Sequence, residues 1–262
     1  MACTALTEPA TGSDFAAIRT EARRTDNGWV LNGDKTWIVN ARHAALAIVF
    51  AQTESHGNSN GIAAFLVDLI APGVQRYPID AGFSQTSIGT GGFRMTDVEI
   101  GQDHLLLSPG TAFKSILTEI NGARVYVAAM CNAMLDAALQ QVRRYGDDRT
   151  TFGKPLTAHP GWLASVTRTE SELADAKALT NVACRKVDEG SDAQLSAINA
   201  KVKAVETCQL HLPHLLHAMG AEGLLPEYCF TRHLAAAQMA GLTDGATGLL
   251  RDRADKLSRT HT

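Results

Sequence analysis

The chain has 262 residues, 45% of them hydrophobic and 19% charged, with a formal net charge of −3. This balance describes an ordinary globular protein of one large or two modest domains. It gives no electrostatic reason to bind nucleic acid or an anionic membrane. No apolar run reaches the roughly 18 residues of a bilayer span, and the opening residues lack the basic and apolar regions of a signal peptide. Cys3, Cys131, Cys184, Cys208 and Cys229 follow no CxxC spacing, so reduced thiols in a cytoplasmic protein are expected.

Residues 1–107 read as a β-domain. Gly28–Leu31 and Lys35–Val39 flank Asn32-Gly33, a pair suited to a two-residue hairpin turn because both positions need positive φ. Ala45–Ala51, Ile62–Val67, Gly73–Pro78 and Gly92–Ile100 continue the pattern of short apolar runs between turn residues. Five or six strands at this spacing predict a small antiparallel sandwich or barrel.

Residues 108–262 read as helical. Pro109-Gly110 precedes a run from Thr111 to Tyr145, which Gly146-Asp147-Asp148 is expected to end. A second helix is predicted from Pro160 to Asp188, with Trp162, Val166, Thr169, Leu173, Ala176, Thr180, Ala183 and Val187 as its buried stripe. Ser191-Asp192 offers a cap for a third, reaching Met219 with a kink at Pro213. After a loop over Gly220–Pro226, a fourth runs from Glu227 to Met239. The fold class is therefore α+β: a small antiparallel β-domain followed by a four-helix bundle.

Three segments carry more than architecture: Leu6-Thr7-Glu8-Pro9-Ala10-Thr11-Gly12-Ser13-Asp14, Leu31-Asn32-Gly33-Asp34-Lys35-Thr36-Trp37-Ile38-Val39-Asn40, and Arg149-Thr150-Thr151-Phe152-Gly153-Lys154-Pro155-Leu156. In this order and spacing they resemble the acyl-CoA dehydrogenase family, from its middle β-domain to its C-terminal bundle. The resemblance implies FAD as cofactor. It places Leu6, Thr7, Gly12, Ser13, Trp37, Val39, Arg149, Thr151, Phe152, His217 and Gly220 around that cofactor. Glycine allows close main-chain approach and hydroxyls donate to anionic oxygens, while Arg149 would offer phosphate a fixed cationic fork. Ser13, Arg124 and Thr243 are implied on the substrate side.

The family removes the α-proton of an acyl thioester with a carboxylate while hydride leaves the β-carbon for flavin. Its Tyr-Glu-Gly-Thr motif matches Thr243-Asp244-Gly245-Ala246, which makes Asp244 the expected base, one methylene shorter. Some relatives carry the base ahead of the arginine that matches Arg124; here Ala123 stands there, and Glu119, one turn earlier, reads as a surface residue. Other departures are Val39 for a threonine, His217 for a glutamine, Ala235–Ala237 for an Arg-Asp-Ala run, and Ser84-Gln85-Thr86 for Gly-x-Arg. The family's N-terminal helical domain has no counterpart in the sequence.

The expectation is an FAD-dependent oxidoreductase that converts an acyl thioester, on CoA or a carrier protein, to its α,β-enoyl form. It would act as a homo-oligomer, or as a hetero-oligomer with a subunit supplying the N-terminal domain, and could pass electrons to an electron-transferring flavoprotein. Two alternatives stay open: a catalytically silent or assembly subunit, and the same fold doing non-redox or oxidase chemistry. His211, His214 and His217 recur at i, i+3 and i+6, but a dedicated metal site usually adds a carboxylate or cysteine ligand nearby in space and Pro213 bends this segment, so no metal is expected.

Overall fold

In a computed structural model that describes residues 1–53, 59–80 and 89–260, the chain forms two compact units, Met1–Thr118 and Glu119–Thr262. Ser84-Gln85-Thr86 lie outside the described residues.

Among the described residues the first unit is built on eight strands: β1 (Ala2–Ala5), β2 (Glu21–Thr25), β3 (Gly28–Ile38), β4 (Leu46–Gln52), β5 (Ile62–Asp68), β6 (Val74–Pro78), β7 (Gly91–Gly101) and β8 (Leu105–Leu107). They join in one sheet in the order β6-β7-β3-β2-β4-β5-β8, with β1 added along β4. Most pairings are antiparallel, but β1 runs parallel to β4, Ala2 opposite Leu46 and Ala5 opposite Val49. Successive strand residues point to opposite faces. In β4, Ala47, Val49 and Ala51 enter one cluster with Phe65 and Phe93, while Phe50 enters another with Ile18, Ile62 and Ala64. Burial on both faces explains why this strand reads as an unbroken apolar run.

Asn32-Gly33 is not the hairpin turn that the sequence suggests. Residues 28–38 form a single strand, and the turn is Asp26-Asn27, between Thr25 and its partner Gly28. Gly33 answers a close approach instead: a Cβ there would lie 2.5 Å from Thr20 Oγ1 and 2.8 Å from Thr20 Cα. The register against β7 slips between Leu31 and Gly33. At that bulge the Asn32 side chain bonds Asp97, accepting from its backbone N–H at 2.9 Å.

The second unit holds α1 (Ala112–Asp148) beyond Thr118, α2 (Pro160–Asp188), α3 (Gln194–Ala218), α4 (Phe230–Ala240) and α5 (Thr247–Thr260). Between α1 and α2 lies a minimal hairpin, β9 (Thr150–Thr151) with β10 (Lys154–Pro155). The predicted stripe of α2 is its buried face, with Val166, Thr169, Leu173, Ala176, Thr180 and Ala183 inside. Three details differ from the sequence reading. Gly146 does not stop α1; it lies inside the helix where a Cβ would meet the Trp162 ring at 2.2 Å, so its smallness serves packing. The fourth helix starts at Phe230 rather than Glu227, and α5 is a fifth helix that the reading lacked. Leu135, Val142, Leu173, Val205, Leu212 and Phe230 form the centre of a contiguous core.

Candidate active site

In the β unit the first two motif segments meet. Lys35 and Glu8 form a buried ion pair at 2.8 Å, with the lysine also donating to the Leu6 carbonyl at 3.1 Å. The Thr36 N–H donates to the Thr7 carbonyl at 3.0 Å. The Glu8 carboxylate accepts from the Arg19 and Thr20 N–H groups at 2.6 and 2.9 Å and from the Thr20 hydroxyl at 2.6 Å. Burial alone would raise the Glu8 pKa, yet the charge and hydrogen bond of Lys35, with the Thr20 and Arg19 donors, hold it below its ordinary value. Burial takes Lys35 the other way, down to about 8, against the pull of Glu8. Glu8 and Lys35 are thus consumed in pinning Leu6 and Thr7 against β3.

Beyond that anchor Thr11 is buried, while Pro9, Ala10 and Asp14 are exposed. Gly12 and Ser13 are exposed and Thr7 is half-buried. Among the described residues no hydrogen bond occupies the Thr7 or Ser13 hydroxyls. A Cβ on Gly12 would meet nothing within 4 Å, so the backbone there is open to close approach. On β3 a second register slip, between Lys35 and Ile38, coincides with Trp37 at φ +56°. Lys35, Thr36 and Ile38 stay buried while the indole of Trp37 is 56% exposed. Val39 is exposed as well, and its apolar side chain offers no hydrogen bond.

In the helical unit Arg149 is exposed at the start of the β9–β10 hairpin. Phe152 sits at its turn with φ +50° and is 98% exposed. The Thr151 hydroxyl contacts His159 Nε2 at 3.2 Å. His217 lies exposed in the last turn of α3, followed by Gly220 at φ +64°. No described group of three or more His, Cys, Asp or Glu side chains could hold a metal.

Asp244 lies in the turn between α4 and α5 at φ +54°, followed by Gly245 at φ +103°. The buried Arg124 of α1 donates from Nε to the Asp244 carbonyl at 3.2 Å, and its Nη1 donates to Asn121 at 3.1 Å. The fully buried Lys201 of α3 donates to the carbonyls of Thr243 and Gly245. The Thr243 hydroxyl donates to Met239 O at 3.0 Å. Burial raises the Asp244 pKa, opposed by the charges of Lys201 and Arg124. Arg124, Thr243 and Asp244 are therefore together, whereas Glu119 is exposed. Lys201 was absent from the sequence reading. A signal existed: it falls on the apolar face of α3, four residues after Ala197 and four before Val205, both fully buried.

Two family profiles account for nearly the whole chain: the acyl-CoA dehydrogenase middle domain over residues 3–98 and the C-terminal domain over residues 111–256. The chain belongs to the acyl-CoA dehydrogenase family. It is 30% identical over 249 residues to the bovine short-chain specific acyl-CoA dehydrogenase of mitochondria, covering 95% of this chain and 60% of that protein. Among solved structures, the butyryl-CoA dehydrogenase of Megasphaera elsdenii matches with a TM-score of 0.93 at 26% identity, over 98% of this chain and 67% of that one. The FAD complex of PigA has the same fold, with a TM-score of 0.94 at 21% identity, over all of this chain and 68% of the other. The chain thus spans about three-fifths of the length of its curated relatives.

Proposed function

We propose that this acyl-CoA dehydrogenase family member is an FAD-dependent oxidoreductase that takes an acyl thioester to its α,β-enoyl form, with Asp244 as the base. The observation that carries the reading is the Asp244 turn: a carboxyl group of raised pKa on a left-handed residue, its backbone fixed by two buried cations. A general base works best with a pKa near the operating pH, and burial moves an aspartate in that direction. Arg124 keeps the carboxyl from drifting by holding the carbonyl of the same residue.

The β unit fits a flavin. Its donors at Thr7 and Ser13 are unspent, the backbone at Gly12 is open, and the Trp37 indole is available to cover a planar ring. FAD, when bound, supplies the hydride acceptor. Thr7, Gly12 and Ser13 would bind it, Trp37 would exclude water from it, and Arg149, Thr151, Phe152, His217 and Gly220 would serve a cofactor held by a neighbouring copy or partner subunit. Phe152, 98% exposed at the hairpin turn, is available for such a neighbour to cover. An electron-transferring flavoprotein is the acceptor that the family resemblance implies.

The test is the visible spectrum of the purified protein after incubation with FAD and gel filtration, then titration with a panel of acyl-CoAs. A retained flavin band bleached by one of them supports the reading. Asp244→Asn should keep the flavin and lose the bleaching; bleaching at an unchanged rate in that variant removes Asp244 as base. A second reading, a catalytically silent assembly subunit, is favoured by the missing polar groups at Val39, Ala123 and Ala235–Ala237. A colourless protein that cannot be reconstituted supports it instead.

A further inference from the structure

The turn that presents Asp244 has an unusual backbone requirement. Two consecutive residues with positive φ, Asp244 and Gly245, turn three successive carbonyls, those of Thr243, Asp244 and Gly245, toward cationic side chains. Carbonyls shielded from water are costly without donors; Asp244 and Gly245 are half-buried and the Lys201 side chain they face is fully buried, so a turn of this shape depends on its cations. Arg124 serves only the middle carbonyl. The outer two, on either side of Asp244, share one ammonium group.

We propose that Lys201 is a positioning residue whose protonated ammonium group clamps the Thr243–Gly245 turn and so fixes the Asp244 carboxyl; loss of its charge releases the turn. The proposal rests on the reading of Asp244 as base only for its catalytic consequence, since the clamp itself is a matter of geometry. An ammonium group donates up to three hydrogen bonds and here gives two to the turn. A neutral amine donates two at most and carries no charge to strengthen them.

The surroundings favour release within an accessible pH range. Burial lowers the Lys201 pKa to about 8, resisted by Asp244 and reinforced by Arg124. The groups facing it are Asp244 from the turn and Arg124 and Cys131 from α1. The free thiols of Cys208, on α3 itself, and Cys131 share a hydrogen bond. The charges on other neighbouring elements are engaged elsewhere: Glu172 of α2 with Lys203 and His211, and Arg251 of α5 with Glu206. Arg253 of α5 acts on Arg124. The native pKa lies below the free lysine value, so the clamp is intact below about pH 8 and opens as pH rises through it.

Backbone amides report the clamp without any turnover. Leu242 and Thr243 donate to Met239 O at 2.9 and 3.1 Å, and Thr247 donates to Gly241 O at 3.0 Å. Hydrogen–deuterium exchange of the full chain, read on peptides covering residues 241–247 and corrected for intrinsic rates, should show slow exchange at pH 7. Protection should fall at least tenfold by pH 9.5. Lys201→Met should exchange fast at both pH values, and Lys201→Arg, which stays charged, should remain slow at pH 9.5. Cys131→Ala should keep the wild-type step. Peptides of α2 should be unchanged throughout, which separates local release from unfolding. Equal protection of the turn in wild type and Lys201→Met, or no step in wild type, overturns the proposal. Should Lys201→Met fail to fold, the wild-type step and its absence in Lys201→Arg decide alone. Activity retained in Asp244→Asn with the step intact would instead discard the base reading and leave the clamp standing.

Discussion

Lys35 Nζ lies 2.8 Å from Glu8 Oε1, with the two side chains only 0% and 5% exposed. A buried pair of this kind is weak evidence for net stability, but breaking it from one side leaves an uncompensated buried charge. Glu8→Gln should therefore cost about 3–5 kcal/mol of folding stability, read from urea unfolding at pH 7. Adding Lys35→Met to it should recover much of that loss. A double variant no better than Glu8→Gln alone would show that the hydrogen bonds to Arg19, Thr20 and Leu6 matter more than the charge.

The same pair sets an acid dependence. The Glu8 pKa is lower in the folded chain than in the free side chain, so its contribution is present above the unfolded value of about 4.3. It is lost as pH falls through the lower, native value. Lys35 has the opposite consequence at high pH. Its native value of about 8 lies below that of the free side chain, so from there up to about 10.4 the unfolded chain binds more protons and folding gains stability as pH rises. Urea midpoints of wild type and Glu8→Gln should diverge at pH 6 and converge as pH falls through the lowered native value of Glu8.

Much of this fold was legible because the elements are long or strongly patterned. The stripe of α2 is visible at three- and four-residue steps, and its bounds in the structure are those read from the sequence. Asn32-Gly33 misled for a physical reason: glycine serves both a positive-φ turn and a close approach, and Thr20, which makes the approach, is thirteen residues away. Similarly, Gly146 looked like a helix stop because its partner Trp162 lies on another helix. The helix after the Asp244 turn, α5, hid in a polar sequence with little core-facing pattern beyond Leu250. Of the candidate site, the motif residues could be named from resemblance, but the two buried lysines could not be given roles. Lys35 needed Glu8 across 27 positions and Lys201 needed the Asp244 turn across 43; only folding brings these groups together.

Gly146 yields a prediction opposite in sign to helix propensity. In an open helix Gly→Ala gains up to about 1 kcal/mol. Here the new methyl would meet the Trp162 ring at 2.2 Å, and that ring cannot swing away freely because its Nε1 donates to the Ala218 carbonyl at 2.8 Å. Overpacking costs of about 1–3 kcal/mol should win. Gly146→Ala should thus lower the urea midpoint, and the loss should shrink when combined with Trp162→Phe, which removes both the contact and the hydrogen bond. A midpoint that rises would mean α1 and α2 separate at this crossing with little penalty.

Trp37 separates a cofactor role from a packing role. A non-glycine residue at φ +56° carries a strain of roughly 1–2 kcal/mol, and an indole that is 56% exposed recovers little of it through burial. Trp37→Gly relieves the strain, against roughly 0.5–1 kcal/mol for glycine's extra freedom in the unfolded chain. The thermal midpoint of the flavin-free protein should therefore hold or rise slightly. FAD retention through gel filtration should fall at least tenfold, since the ring proposed to cover the flavin is gone, and Trp37→Phe should keep most of it. Strained residues with an exposed apolar ring persist where something other than the fold rewards them. Undiminished retention in Trp37→Gly would take Trp37 away from the cofactor, whereas a large drop in midpoint would make its ring a packing element that the exposed surface conceals.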